Sequence, residues 1–153
     1  PTREQLQQTV EKGSIYEQRA AREFLKRLDA GQPLKTSHPC PVQLWQVGTQ
    51  AMVTIGGEVV IDYAHAIKGM LGRQTFVMGY ANDLFAYLPS LRVLKEGGYE
   101  GGGAQVYYGQ PGIWQDDVEM RVLTAIHGLA VQAGLSPAEP DKVASKPANV
   151  TPQ

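Results

Sequence analysis

Residues 51–71 read AMVTIGGEVVIDYAHAIKGML. The first five, Ala51-Met52-Val53-Thr54-Ile55, have the composition of a strand, and Gly56-Gly57 end it. From Glu58 to Leu71 the apolar residues Val59, Tyr63, Ile67, Met70 and Leu71 fall on one side of a helix, which Gly72 closes. A strand delivered into a helix through two glycines predicts an α/β protein. Its ligand groups should emerge at the C-terminal edge of the sheet. Gly-Gly also lets a substrate or another backbone approach closely, because no Cβ intrudes. Glu58 then stands in the first helical turn, where a carboxylate by itself complements the helix dipole. A phosphate-cradling loop fits poorly, since a carboxylate repels phosphate and the Walker spacing is missing.

Working outward, Val42-Gln43-Leu44-Trp45-Gln46-Val47 alternates like a half-buried strand, and Gly48-Thr49 makes it a hairpin partner of Ala51–Ile55. Thr75-Phe76-Val77-Met78-Gly79 is a short apolar strand. A helix crossover separates it from Ala51–Ile55, so the two should lie parallel. The expected fold is α/β, a small mixed sheet from residues 42–47, 51–55 and 75–79 flanked by helices. Residues 1–34 form a helical segment, one helix or two joined near Gly13-Ser14, with Ile15, Ala20, Phe24, Leu25 and Leu28 on its apolar face. After Ala81 the chain should be irregular to about Gly112. Asp116-Asp117 then open a helix to about Ala133, striped by Val118, Val122, Leu123, Ile126 and Leu129. Beyond 134 the Pro, Ala, Ser and Lys content suggests a tail or linker, residues 135–153, outside the core.

Net charge is -1 with no basic stripe, which argues against nucleic acid as a partner. Arg19, Arg22, Lys26 and Arg27 are interleaved with Glu17 and Glu23, as on a solvated helix face. Cys40 is the single cysteine, so neither an internal disulfide nor a Cys-based zinc site can form. No apolar run approaches a membrane span. The polar opening PTREQLQQ is not a signal peptide, and Pro1 in place of Met suggests an excised or processed piece.

Polar groups gather in three units. Gly56-Gly57-Glu58 is the first. Gly79-Tyr80-Ala81-Asn82, continuing to Tyr87, follows a strand and so emerges at the same sheet edge; on their own Asn82 is a turn residue and Tyr87 a packed tyrosine. Gly97-Gly98-Tyr99-Glu100-Gly101-Gly102-Gly103, followed by Tyr107-Tyr108-Gly109, is the third. A glycine-rich loop alone is a weak signal. His65 comes seven residues after Glu58, two helical turns on, so a Glu–His metal pair is geometrically open, as is a surface histidine. His38 and His127 build no H-E-x-x-H pattern. Nothing marks a nucleophile elbow.

Taken in order, these units resemble the neutral/alkaline, non-lysosomal ceramidase family over roughly residues 42–134. The resemblance rests on Gly56-Gly57-Glu58, on Asn82 with Tyr87 five residues beyond it, on Tyr99-Glu100-Gly101 twelve residues later, and on Tyr108-Gly109. It implies that Glu58 and Tyr87 are zinc ligands and that Tyr99 donates to the substrate oxyanion or amide. Asn82, Gly57 and Glu100 would then line the substrate. It implies hydrolysis of the N-acyl amide of ceramide to a sphingoid base and a fatty acid, and a secreted or periplasmic setting.

The departures shape the expectation. The family's His-x-His stretch has no counterpart here, and two protein ligands are fewer than a zinc site normally has. Gly57 stands where proline is common, Pro89–Gly98 differs from the family's pattern, and the family's C-terminal sandwich domain is missing. The chain therefore reads as one segment of a larger catalytic domain, its zinc site incomplete. It would be inactive alone, with an N-terminal part of the same domain and a lipid amide as partners. Apolar surface should be left exposed or used in self-association. The alternatives are a non-catalytic or degenerate module of the same fold, or a hydrolase of a different amide.

Overall fold

The computed structural model describes residues 1–146. The first segment is two helices, α1 (Arg3–Lys12) and α2 (Ile15–Asp29), breaking at Gly13-Ser14. Each opens with a reciprocal capping box. The Thr2 and Ser14 hydroxyls accept from the backbone N–H of Gln5 and Glu17, whose side chains accept from the cap residue's N–H. Ile15, expected on the apolar face, is exposed at the first position of α2, while Leu6 and Ala21 are buried.

Strands β1 (Val42–Val47) and β2 (Gln50–Ile55) form the expected antiparallel hairpin. Helix α3 (Ile61–Leu71) crosses over to β4 (Phe76–Met78), which pairs parallel with β2, giving a mixed three-stranded sheet in the order β1-β2-β4. Alternation assigns the faces. Val42, Leu44, Val53, Ile55 and Val77 point into a core shared with Tyr63, Ile67 and Met70 of α3. Helix α6 (Val118–Gln132) adds Val122, Leu123 and Ile126 to the same core. Trp45, Met52 and Phe76 lie in register on the opposite face, where Trp45 and Phe76 are exposed.

Glu58 is not in a helical turn. Gly57 takes a positive φ of 77° and turns the chain, so that Glu58–Val59 forms a two-residue strand, β3. It pairs parallel with a second short strand, β5 (Tyr87–Leu88). The Glu58 N–H donates to the Ala86 carbonyl and the Val60 N–H to Leu88, which keeps this stretch extended until α3 begins at Ile61. The stretch expected to be irregular thus contains β5. It also contains α4 (Leu91–Glu96), α5 (Gly98–Gly101) and a 3₁₀ helix at Gly103–Tyr108.

The described part of the expected tail docks on the core. Pro140 opens a short helix, α7 (Pro140–Val143), and is buried, with Val143 and Ala144 packed against the core. The clamp is Glu119 in the first turn of α6. This buried carboxylate accepts from the backbone N–H groups of Leu91 and Ser145 and from the Ser145 hydroxyl. Composition alone reads the segment as linker because its contacts come from three apolar residues and a serine. Residues 147–153 lie outside the described part. Asp116 and Asp117 precede α6 and pair with Lys95 and Arg121.

Candidate functional site

Two short strands build the site. In the β3–β5 pairing Glu58 is the direct partner of Tyr87, so the two side chains leave the same face as neighbours. Strand β5 is held from behind. The Trp114 indole donates to the Tyr87 carbonyl at 2.7 Å and the Gln110 amide to the Phe85 carbonyl at 2.9 Å.

Three phenols converge on Glu58. Tyr108, at the end of the 3₁₀ helix, donates to its Oε2 at 2.9 Å, and the hydroxyls of Tyr80 and Tyr87 lie near enough to favour its charged form. Burial pushes the Glu58 carboxyl up, but the three phenols outweigh it and hold the group below the ordinary carboxylate range. The reverse holds for the phenols. Burial and the Glu58 charge push Tyr108 up to about 12. Tyr87 is raised further, first by its hydrogen bond to Glu58, because a phenolate there would face the carboxylate. No Lys, Arg or His pairs with Glu58 among the described residues.

Tyr99, on α5, stands edge-to-face against Tyr87 with ring centroids 5.5 Å apart, and is 56 % exposed. Tyr107 lies against Tyr99 and, on its other side, against Tyr16 of α2. The site is therefore an ionised carboxylate ringed by tyrosines and open to solvent on the Tyr80 and Tyr99 side.

The other expected residues divide. Asn82 is exposed in a left-handed conformation, φ 68°, and donates to Gln43 on β1 at 3.2 Å. Tyr80 shares the positive φ, at 57°, a conformation costly for a bulky residue and one that presents its hydroxyl to Glu58. Gly57 is buried, and both its backbone groups are committed: its N–H donates to the Asp83 carbonyl and its C=O accepts from Tyr80. A Cβ there would lie 2.9 Å from the Ala86 carbonyl, so packing already demands glycine. Glu100 is exposed on α5 and takes no part in the hydrogen bonds to Glu58. His65 is exposed on α3 and lines a small cleft with Asp62, Arg92 and Ser145; with Glu58 on a strand, the two-turn argument for pairing them lapses. His38 bonds Asp83 at 2.9 Å, and His127 faces Glu139.

Sequence reasoning gave Tyr80 and Tyr108 no role at Glu58. Both sat in quoted segments, and their signal was a tyrosine next to a glycine, Gly79-Tyr80 and Tyr108-Gly109. Among the described residues no three His, Cys, Asp or Glu side chains converge as a metal site, and no helix is long and apolar enough to cross a membrane. No protein-family model, curated protein or solved structure matches the chain.

Proposed function

We propose that this chain is the α/β segment of a zinc-dependent amidohydrolase of the ceramidase type, acting on the N-acyl amide of a lipid. The observation that carries the reading is the direct pairing of Glu58 with Tyr87, with Tyr99 packed on Tyr87. Three residues nominated from separate stretches of sequence lie together on one open surface.

The donor set is suited to a hard or borderline cation. Glu58 is ionised and has no cationic partner among the described residues, and the Tyr87 phenol is its neighbour. These two would supply part of a zinc shell, and the remaining donors would come from polypeptide outside this chain. Bound zinc lowers the pKa of a coordinated water and polarises a carbonyl. This chain's own contribution is then positional. Tyr108 fixes the Glu58 carboxylate by donating to it. Tyr99 has a hydroxyl in the open, placed to donate to charge that develops on an amide oxygen.

The test compares the full open reading frame encoding these residues with the 153-residue chain. Zinc content and hydrolysis of a long-chain ceramide are measured for both, beside a short N-acyl amide. Zinc and long-chain preference in the longer protein, with neither in the short one, support the reading. A longer protein without zinc or amidase activity leaves a fold-retaining, non-catalytic module.

A further inference from the structure

A second site lies beside Phe85, around segment 34–38, and meets the tyrosine cluster at Tyr108. One chamber, about 310 Å³, is walled mainly by apolar groups, among them Val42, Leu88, Trp114, Val118 and Val122. An adjoining chamber of about 310 Å³ is polar and carries Arg27 of α2, Lys35 and His38. The two meet at His38 and Phe85, whose stacked rings lie 4.3 Å apart and line both chambers.

Charge separates the chambers as sharply as polarity does. Arg27 and Lys35 form no ion pair among the described residues. Among the described residues the one carboxylate lining that chamber, Asp83, is hydrogen-bonded to His38 at 2.9 Å. In the apolar chamber the only Asp, Glu, Lys or Arg side chains among the described residues, Asp117 and Arg121, pair with each other at 2.7 Å. An apolar chamber beside two uncompensated cations suits one chemical class, an anion with a hydrocarbon tail. The volume is at the lower end for small-molecule sites, which fits a single medium chain.

We propose that this chain binds an anionic amphiphile, a medium-chain carboxylate, with its head against Arg27 and Lys35 and its tail between Trp114 and Val122. The head gains charge-assisted hydrogen bonds. The tail removes apolar wall and its own methylenes from water. The cations and the apolar wall it uses do not touch Glu58; Tyr108 alone lines the polar chamber and also bonds Glu58. A fatty acid released by amide hydrolysis and one drawn from solution would bind alike.

Trp114 reports on the tail. Trp45, the only other tryptophan, is removed by Trp45→Phe, and decanoate is titrated below its micelle concentration while Trp114 emission is followed, with calorimetry as a second readout. Saturable binding is expected, at least tenfold weaker for decyltrimethylammonium and for decanol. Arg27→Glu with Lys35→Glu, both exposed, should weaken decanoate at least tenfold without unfolding the chain. Ala125→Phe, at an exposed position lining the apolar chamber, should block the tail. A zinc chelator should leave decanoate binding unchanged, so failure of the hydrolase reading is seen separately. Absence of saturable decanoate binding overturns the proposal. So does equal affinity for the cationic or uncharged analogue, or binding that survives both sets of substitutions.

Discussion

Glu58 and Tyr87 face each other across a pair of two-residue parallel strands, and each sets the other's ionisation. The phenol stabilises the carboxylate, and the carboxylate opposes the phenolate. Replacing Glu58 with Gln removes the charge that holds the phenols protonated. Tyr108, at about 12, and Tyr87, above it, should then ionise closer to the ordinary value of 10. Tyr63 is raised mainly by burial, so it serves as an internal control that should not move. Ultraviolet titration of the wild type and Glu58→Gln reads this directly. Unchanged tyrosine ionisation would mean that Glu58 does not hold the cluster.

Gly57 gives a backbone test of the same site. Its φ of 77° and a Cβ position 2.9 Å from the Ala86 carbonyl make Gly57→Ala strained on two counts. A loss of about 1–3 kcal/mol is expected, from conformation and from displacement of β5. Gly48→Ala shares the positive φ, 59°, but its Cβ would meet nothing within 4 Å. It should cost only about 1–2 kcal/mol, the conformational part. Urea unfolding of both variants separates the terms, and equal losses would show that the Ala86 contact relaxes freely.

The three-stranded sheet was legible because β1 and β2 are long enough to show alternation and because Gly-Gly and a helix separate β2 from β4. Strands β3 and β5 were not, since two residues carry no period. Their pairing is set by the turn at Gly57 and by contacts from Trp114 and Gln110, far along the chain. Glu58 was placed in a helix because Val59 extends the apolar stripe of α3 backward by the right spacing. The convergence of Glu58 with Tyr87 and Tyr99 came from ordered motifs, whereas Tyr80 and Tyr108 needed three dimensions. Glu119 was invisible as a clamp, because an acid in a first helical turn has a sufficient local explanation.

That clamp is testable. Glu119→Ala leaves the Leu91 and Ser145 donors without their acceptor in a buried place, and should cost about 2–4 kcal/mol, the scale for neutral donors left unpaired. Ser145→Ala removes one hydroxyl donor and should cost about 1 kcal/mol. Hydrogen exchange across residues 139–146 should rise sharply in Glu119→Ala. If it stays at the wild-type level, α7 is held by its apolar contacts alone.

Asp62 sets an acid-side dependence. Burial raises its carboxyl, but hydrogen bonds from Arg92 and Ser90 and the Arg92 charge more than offset that, so it titrates below the ordinary 3.8. A carboxyl depressed on folding stabilises the native state above the unfolded value. That stability is lost as pH falls through the folded value. Arg92→Ala removes the main opposing cause and leaves burial, so the folded Asp62 should titrate higher and the acid unfolding midpoint should rise. Circular dichroism from pH 6 down to pH 2 measures it. A midpoint unmoved by Arg92→Ala would mean that other carboxyls govern acid unfolding.

The hydrolase reading divides the tyrosines by task, and the division can be measured in the longer protein that contains these residues. Glu58→Gln keeps size and hydrogen bonding but loses the ligand charge, so zinc content and activity should fall together. Tyr99 lies one ring away from the Glu58 carboxylate, on the solvent side of Tyr87, and is not among the residues that hydrogen-bond Glu58. Tyr99→Phe should therefore keep the zinc and the fold while lowering kcat about a hundredfold or more, the scale for one oxyanion donor. Tyr87→Phe removes a hydroxyl that bonds Glu58, so it should weaken zinc retention with a small folding cost. Metal analysis, thermal unfolding and kcat on the three variants give three distinct patterns. If Tyr99→Phe strips the metal, or Glu58→Gln keeps metal and activity, the roles belong to other residues. If all three lose activity only by unfolding, the cluster is a packing device that happens to be open to water.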